Sequence, residues 1–294
     1  MDSGELKVMM DKKERKIVMF PEVWDELTQA DWVAMLKLRQ QLLMKPVAGV
    51  TVEDVRIEAA RCLLLNRGLR TRTGNDKYFV LVHQAAQKLD WLWQEDEQHR
   101  LSLVYRSTVN LLPKWGQLYG PMSHGADLTF GEFKEAIALC QAMDREETVP
   151  EELRQQLAGL LYRRRNPHRS FPRRVEYDRD DPSLQLTRGQ RMPAWFLWGV
   201  YAWFSFFCEY LTTGIFIIDG QEVCFRSVFG ASPDPSQGGE RGGLGLNAIA
   251  LTLAESRVFG DFDDVMHTPL MKVMMKLLHD KQIFEREKRK LKKR

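Results

Sequence analysis

The sequence predicts an α+β fold that is predominantly α-helical, with small β-hairpins near the N-terminus and around Asp219-Gly220. Three observations carry this. A threonine followed three residues later by an acid, ahead of an apolar run, marks helix starts at Thr28, Thr51 and Thr129. Long stretches place apolar residues at helical spacing, as Phe79, Val82, Ala86 and Leu89 do. Paired apolar runs around a polar turn occur at two places, each too short for a large sheet.

In chain order, Leu6 to Met10 and Ile17 to Phe20 flank a charged DKKERK turn and form the first expected hairpin. Thr28 caps a helix to about Met44, with Asp31 at the box position and Leu27 stapling onto Trp32. Further helices are expected from Thr51 and from Asp76 through about Glu95, while Leu101 to Leu112 reads as helix or strand. The turn-rich stretch at 113–127 reads as a linker. Beyond it Leu128-Thr129, with Glu132 and Phe133, opens a helix, and Leu186-Thr187 with Gln190 is a weaker entry lacking the apolar staple residue. Ile215 to Ile218 and Glu222 to Phe225 flank Asp219-Gly220, whose types suit a type I′ turn. A glycine-rich segment at 230–245 precedes a helix from about Leu246 to Ser256. A last helix starts at Thr268-Pro269 and runs into a basic tail expected to fray.

At 294 residues and 44% hydrophobic content the chain can bury a sizeable core. Its 43 lysines and arginines against 40 acids leave +3, so the whole molecule lacks the field of a dedicated polyanion binder. No export signal opens the sequence and the cysteines form no C-x-x-C pair. The expectation is a cytoplasmic protein with reduced, mostly buried thiols. The charge-free run from Met192 to Cys208 must be buried in protein or lipid. Its length, with Trp198 and Trp203 in the middle, favours a core helix over a membrane span.

The chemistry-bearing patterns are few. Glycines 238, 239, 242, 243 and 245 precede a helix, but no lysine follows as a phosphate-cradling loop requires, so no cofactor is expected. The six histidines show no metal-binding spacing, and no glycine-framed nucleophile is present, so the chain reads as a non-enzyme without a metal site. Arg163, Arg164, Arg165, Arg169, Arg173 and Arg174, with Tyr162 and Phe171, form a candidate nucleic-acid-binding loop. The acids at 176–181 offset it, and a solvated loop or a protein-contact surface is the competing reading. Phe259, Phe262, Met266, Met271, Met274 and Met275 bring aromatic anchors and adaptable thioethers together as a candidate partner-binding surface, with core packing as the alternative.

Three strings, Pro21-Glu22-Val23-Trp24-Asp25-Glu26-Leu27-Thr28, Ile218-Asp219-Gly220 with Phe225, and Leu253-Ala254-Glu255-Ser256 leading to Phe259-Gly260, resemble uncharacterised proteins of prophage tail-gene clusters, encoded near the tape-measure protein. The resemblance implies a tail-assembly-chaperone-like role and supplies no active-site residue. The expected organisation is an N-terminal α+β part at 1–120 and a C-terminal helical domain at 121–294, the latter with a charged loop at 163–183. The expected function is a non-catalytic interaction with a tape-measure-like partner. The alternatives are a nucleic-acid-binding accessory protein and a structural virion component.

Overall fold

The structure, a computed structural model, describes residues 5–9, 15–44, 51–69, 76–95, 101–146, 149–168, 174, 175, 177, 182–228 and 246–291. The first elements are β1 (Glu5–Met9), β2 (Arg15–Met19), α1 (Gln29–Met44), α2 (Val52–Asn66), α3 (Asp76–Ala86), β3 (Trp93–Glu95) and β4 (Leu101–Leu103). Next come β5 (Lys114–Trp115), β6 (Leu118–Tyr119), α4 (Phe130–Met143), α5 (Glu151–Leu161), β7 (Arg163–Arg164), α6 (Pro182–Gly189) and α7 (Ala194–Thr213). The last are β8 (Phe216–Ile218), β9 (Gln221–Val223), α8 (Leu246–Glu255), α9 (Phe262–His267) and α10 (Leu270–Leu291). Helix predominates, and the strands pair in small antiparallel sheets, as an α+β fold of predominantly helical kind requires.

The chain forms two compact units, Met1–Ser107 with Pro193–Ala202, and Thr108–Met192 with Trp203–Arg294. A single cut near residue 120 differs from this division, which falls at Ser107 and returns the start of α7 to the first unit.

In the first unit, Thr28 accepts from the Asp31 backbone N–H and Asp31 accepts from the Thr28 N–H, the reciprocal box that starts α1. Leu27 and Trp32 are buried as the staple predicts. The Asp31 carboxylate, fully buried, also accepts from Asn66 and from Arg67 at 2.9 Å, which ties the start of α1 to the end of α2. Burial of that charge is offset because donors surround it. Trp24, Trp32, Trp91 and Tyr105 pack with centroids 4.6–5.9 Å apart, mostly edge to face. Arg39 lies 3.9 Å over the Trp198 ring. Helix α3 stops at Ala86 instead of running to Glu95. A tight turn at Leu89 and pairing of Trp93 with Leu103 replace the last helical turns, so tertiary pairing overrides local spacing.

In the second unit the 113–127 stretch is not a linker. β5 pairs with β6, β6 pairs with β7, and Asn110, Asp127 and the Thr108 carbonyl bind the loop backbone. The buried Tyr162 hydroxyl donates to the Leu112 carbonyl, and its ring lies against Gly120, where a Cβ would meet it. The C-terminal part of α7 buries Trp203, Phe204, Phe207 and Leu211. Phe133 of α4 lies 6.2 Å from Phe204, as expected for a core helix packed on other helices. Among the described residues no helix is long and apolar enough to cross a membrane. Asp219 and Gly220 both adopt positive φ, 50° and 76°, as a type I′ turn requires, and join β8 to β9. Thr187 caps nothing. It sits inside α6, its hydroxyl donates to the Ser183 carbonyl, and Pro193 opens α7 instead. The glycine-rich 230–245 segment lies outside the described residues.

Candidate functional site

The root of α10 is fixed by the entry into α4. Leu270 N–H donates to the Leu128 carbonyl at 2.8 Å, Phe130 N–H donates to the Thr268 carbonyl at 2.9 Å, and Thr129 bridges Pro269. Thr268 does not cap α10 as its sequence suggests, because its hydroxyl turns back to the Asp264 carbonyl and ends α9. Helix α9, which sequence spacing did not reveal, is opened by a reciprocal Asp261–Asp264 box. Leu270, Val273 and Met274 then sink into the core with Val265 and Met266 of α9.

This packing divides the predicted partner residues. Met266 and Met274 are core, Phe259, Phe262 and Met271 are half-buried, and Met275 is 39% exposed. The buried face of α10 is therefore centred on Leu270, Val273 and Met274 and not on the methionine stripe itself.

Beyond Lys281 the helix leaves its support. It continues to Leu291 where fraying was expected, and every residue from Gln282 to Leu291 is exposed. Phe284 is 64% and Leu291 71% exposed, and they extend the line that Leu270 and Leu277 begin at seven-residue intervals. Lys281 and Lys288 fall on the same face, three or four residues from each apolar neighbour. Lys281 is held by the Ser227 carbonyl and Lys276 by Asp280 one turn on. The spacing Leu277–Phe284–Leu291 was the sequence signal for this surface, hidden in what reads as a charged tail.

The arginine loop is reorganised more sharply. Arg163 and Arg174, read as exposed cations, are buried, because β7 and the Arg165–Arg174 bridge turn them inward onto α4. Arg174 bonds Asp127 at 3.0 Å and Glu132 at 2.8 Å, and donates to the Leu161 carbonyl; Arg163 shares the Glu132 carboxylate. Burial opposes charge on Arg174, but Glu132 and Asp127 outweigh it and hold its ionisation above the ordinary arginine value. At Arg163 burial prevails and brings it down to about 10. Both are committed to carboxylates inside the protein. Arg164 and Arg165 are exposed, and Arg169 and Arg173 lie outside the described residues.

Among the described residues no group of histidines, cysteines and carboxylates is arranged to hold a metal ion. All four cysteines are free. Only Cys140 is buried, Cys62 and Cys208 are half-buried and Cys224 is exposed, so fewer thiols are buried than the sequence suggests. No family model, no characterised protein and no solved structure matches the chain.

Proposed function

We propose that the protein acts without catalysis, as a chaperone or accessory factor that binds a tape-measure-like protein during assembly of a phage-type tail. The observation that carries this reading is the course of α10, rooted in the core at Leu270 and exposed on every side from Gln282 to Leu291 with Phe284 and Leu291 on one face. An isolated helical stretch of this length is marginal in water, and apolar residues on one helical face are what helix-in-groove recognition uses as anchors. The tail-gene resemblance supports the assembly role. Commitment of Arg163 and Arg174 to Glu132 and Asp127 takes two cations from the nucleic-acid alternative and favours a protein partner.

The test is co-expression of the tagged chain with a tape-measure-like tail protein. Retention of that protein by the intact chain, and its loss when Gln282–Arg294 is removed, is the expected result. An intact, folded chain that retains none of it would sink the reading.

A further inference from the structure

Resting on that interaction reading, we infer that the element docking on α10 is an acidic amphipathic helix, seated along Leu277, Phe284 and Leu291 with its carboxylates at Lys281 and Lys288. Seven residues advance an α-helix by two turns with a drift of only about 20°. Leu277, Phe284 and Leu291 therefore form one nearly straight seam, and the two lysines alternate with them at spacings of four and three. The seam begins half-buried at Leu277 and is open at Phe284 and Leu291, so a second helix laid along it continues the packing that Leu270 starts. Five cations against two anions between Lys281 and Leu291 set the sign of the partner's charge.

The same features argue against the other occupants. A second copy of this chain would bring like cationic excess against itself. A helix lying in a lipid interface needs a broad apolar face, whereas Glu285 follows Phe284 directly, Glu287 lies three residues beyond it and Lys288 separates it from Leu291. A phosphate backbone would engage the cations and leave Phe284 and Leu291 without apolar contact.

The test measures fluorescence anisotropy of a labelled synthetic helix, with leucines at seven-residue spacing and flanking glutamates, titrated with the full chain. Control probes replace its leucines by glutamine, replace its glutamates by lysine, or are single-stranded DNA and phosphatidylserine vesicles. The acidic leucine probe should bind, and both the Phe284→Ala/Leu291→Ala pair and Lys288→Glu should weaken it by about tenfold or more. The thermal midpoint should not move, because these side chains are exposed. Equal binding of either peptide control overturns the inference. So does binding of DNA or vesicles alone, or a chain that sediments as a dimer through this helix. If the acidic probe fails while the chain still retains the tape-measure-like protein, the docking chemistry is wrong and the assembly role stands. If the probe binds and that protein is not retained, the assembly role falls and the docking chemistry stands.

Discussion

Gly159 of α5 and Gly189 of α6 lie each against the backbone of the other helix, so that a Cβ at Gly159 would overlap the Gln185 carbonyl and one at Gly189 the Gln155 carbonyl. The two contacts are reciprocal, and they let the helices approach more closely than side chains allow. Alanine in place of either glycine should gain about 1 kcal/mol of helix propensity. It should lose more, since overpacking costs about 1–3 kcal/mol and a carbonyl cannot swing aside like a side-chain end. Urea denaturation of Gly159→Ala and Gly189→Ala should therefore show net destabilisation. A midpoint at or above that of the parent chain would mean that the helices separate freely.

Glu132 joins a capping box to a buried ion-pair cluster, accepting from Thr129 N–H at 2.9 Å and from Arg163 and Arg174. Glu132→Gln keeps the shape but leaves two buried guanidiniums short of a charge, and breaking such a pair costs about 3–5 kcal/mol. Asp54 serves a similar box at Thr51 in full exposure, so Asp54→Asn should cost far less. Equal losses in the two variants, measured by chemical denaturation, would show that capping and not the buried charge dominates at Glu132.

That contrast also marks what the sequence discloses. Thr28–Asp31, Thr51–Asp54 and Thr129–Glu132 carry one local pattern, and each starts a helix as the pattern requires. Nothing local says that Asp31 and Glu132 are buried under arginines while Asp54 faces water. Those partners come from 36 and 42 residues away, a separation no capping rule spans. Arg163 and Arg174 were misread for the same reason, since they look solvated until β7 and Leu161 are placed around them. The turn at Asp219-Gly220 was legible because its conformation depends on its own two residues. The seam on α10 was legible in spacing but masked by the charges beside it.

The thiols predict an alkaline limit to stability. Burial raises Cys140 from 9.0 to about 12, with Asp144 adding to it and Ser205 opposing it, and burial likewise raises Cys208 and the Tyr162 phenol. Each is an acid whose folded value lies above its unfolded one, so its stabilising contribution is complete below the unfolded value and is lost as pH rises through the folded one. For Cys140 the window runs from 9.0 to about 12. Within it the Cys140 thiol costs about 1.4 kcal/mol per pH unit. Stability should fall from pH 9 upward, less steeply in Cys140→Val. In the native protein at pH 8 a thiol reagent should modify the exposed Cys224 at once and Cys140 only on unfolding. Rapid modification of Cys140 in the folded chain would contradict its burial.

Three positions on α10 separate packing from recognition within one helix. Met274 is buried beside Leu270 and Val273, Met275 is 39% exposed, and Phe284 is 64% exposed. Truncating a buried methionine removes both its transfer free energy and the packing around it, so Met274→Ala should destabilise the chain by about 2–5 kcal/mol. Met275→Ala and Phe284→Ala touch no sealed core and should stay within about 0.5 kcal/mol. Retention of the tape-measure-like protein should follow another order. Phe284→Ala weakens it because the aromatic anchor of the seam is gone, Met275→Ala leaves it unchanged because Met275 lies on the opposite face of the helix from the seam, and Met274→Ala leaves it intact at temperatures where that variant is folded. Thermal midpoints and co-purification measured on the same three variants decide between these roles. If Phe284→Ala lowers the midpoint as far as Met274→Ala does, the distal half of α10 is packed against the body of the protein in solution, and it cannot be the surface that the partner occupies.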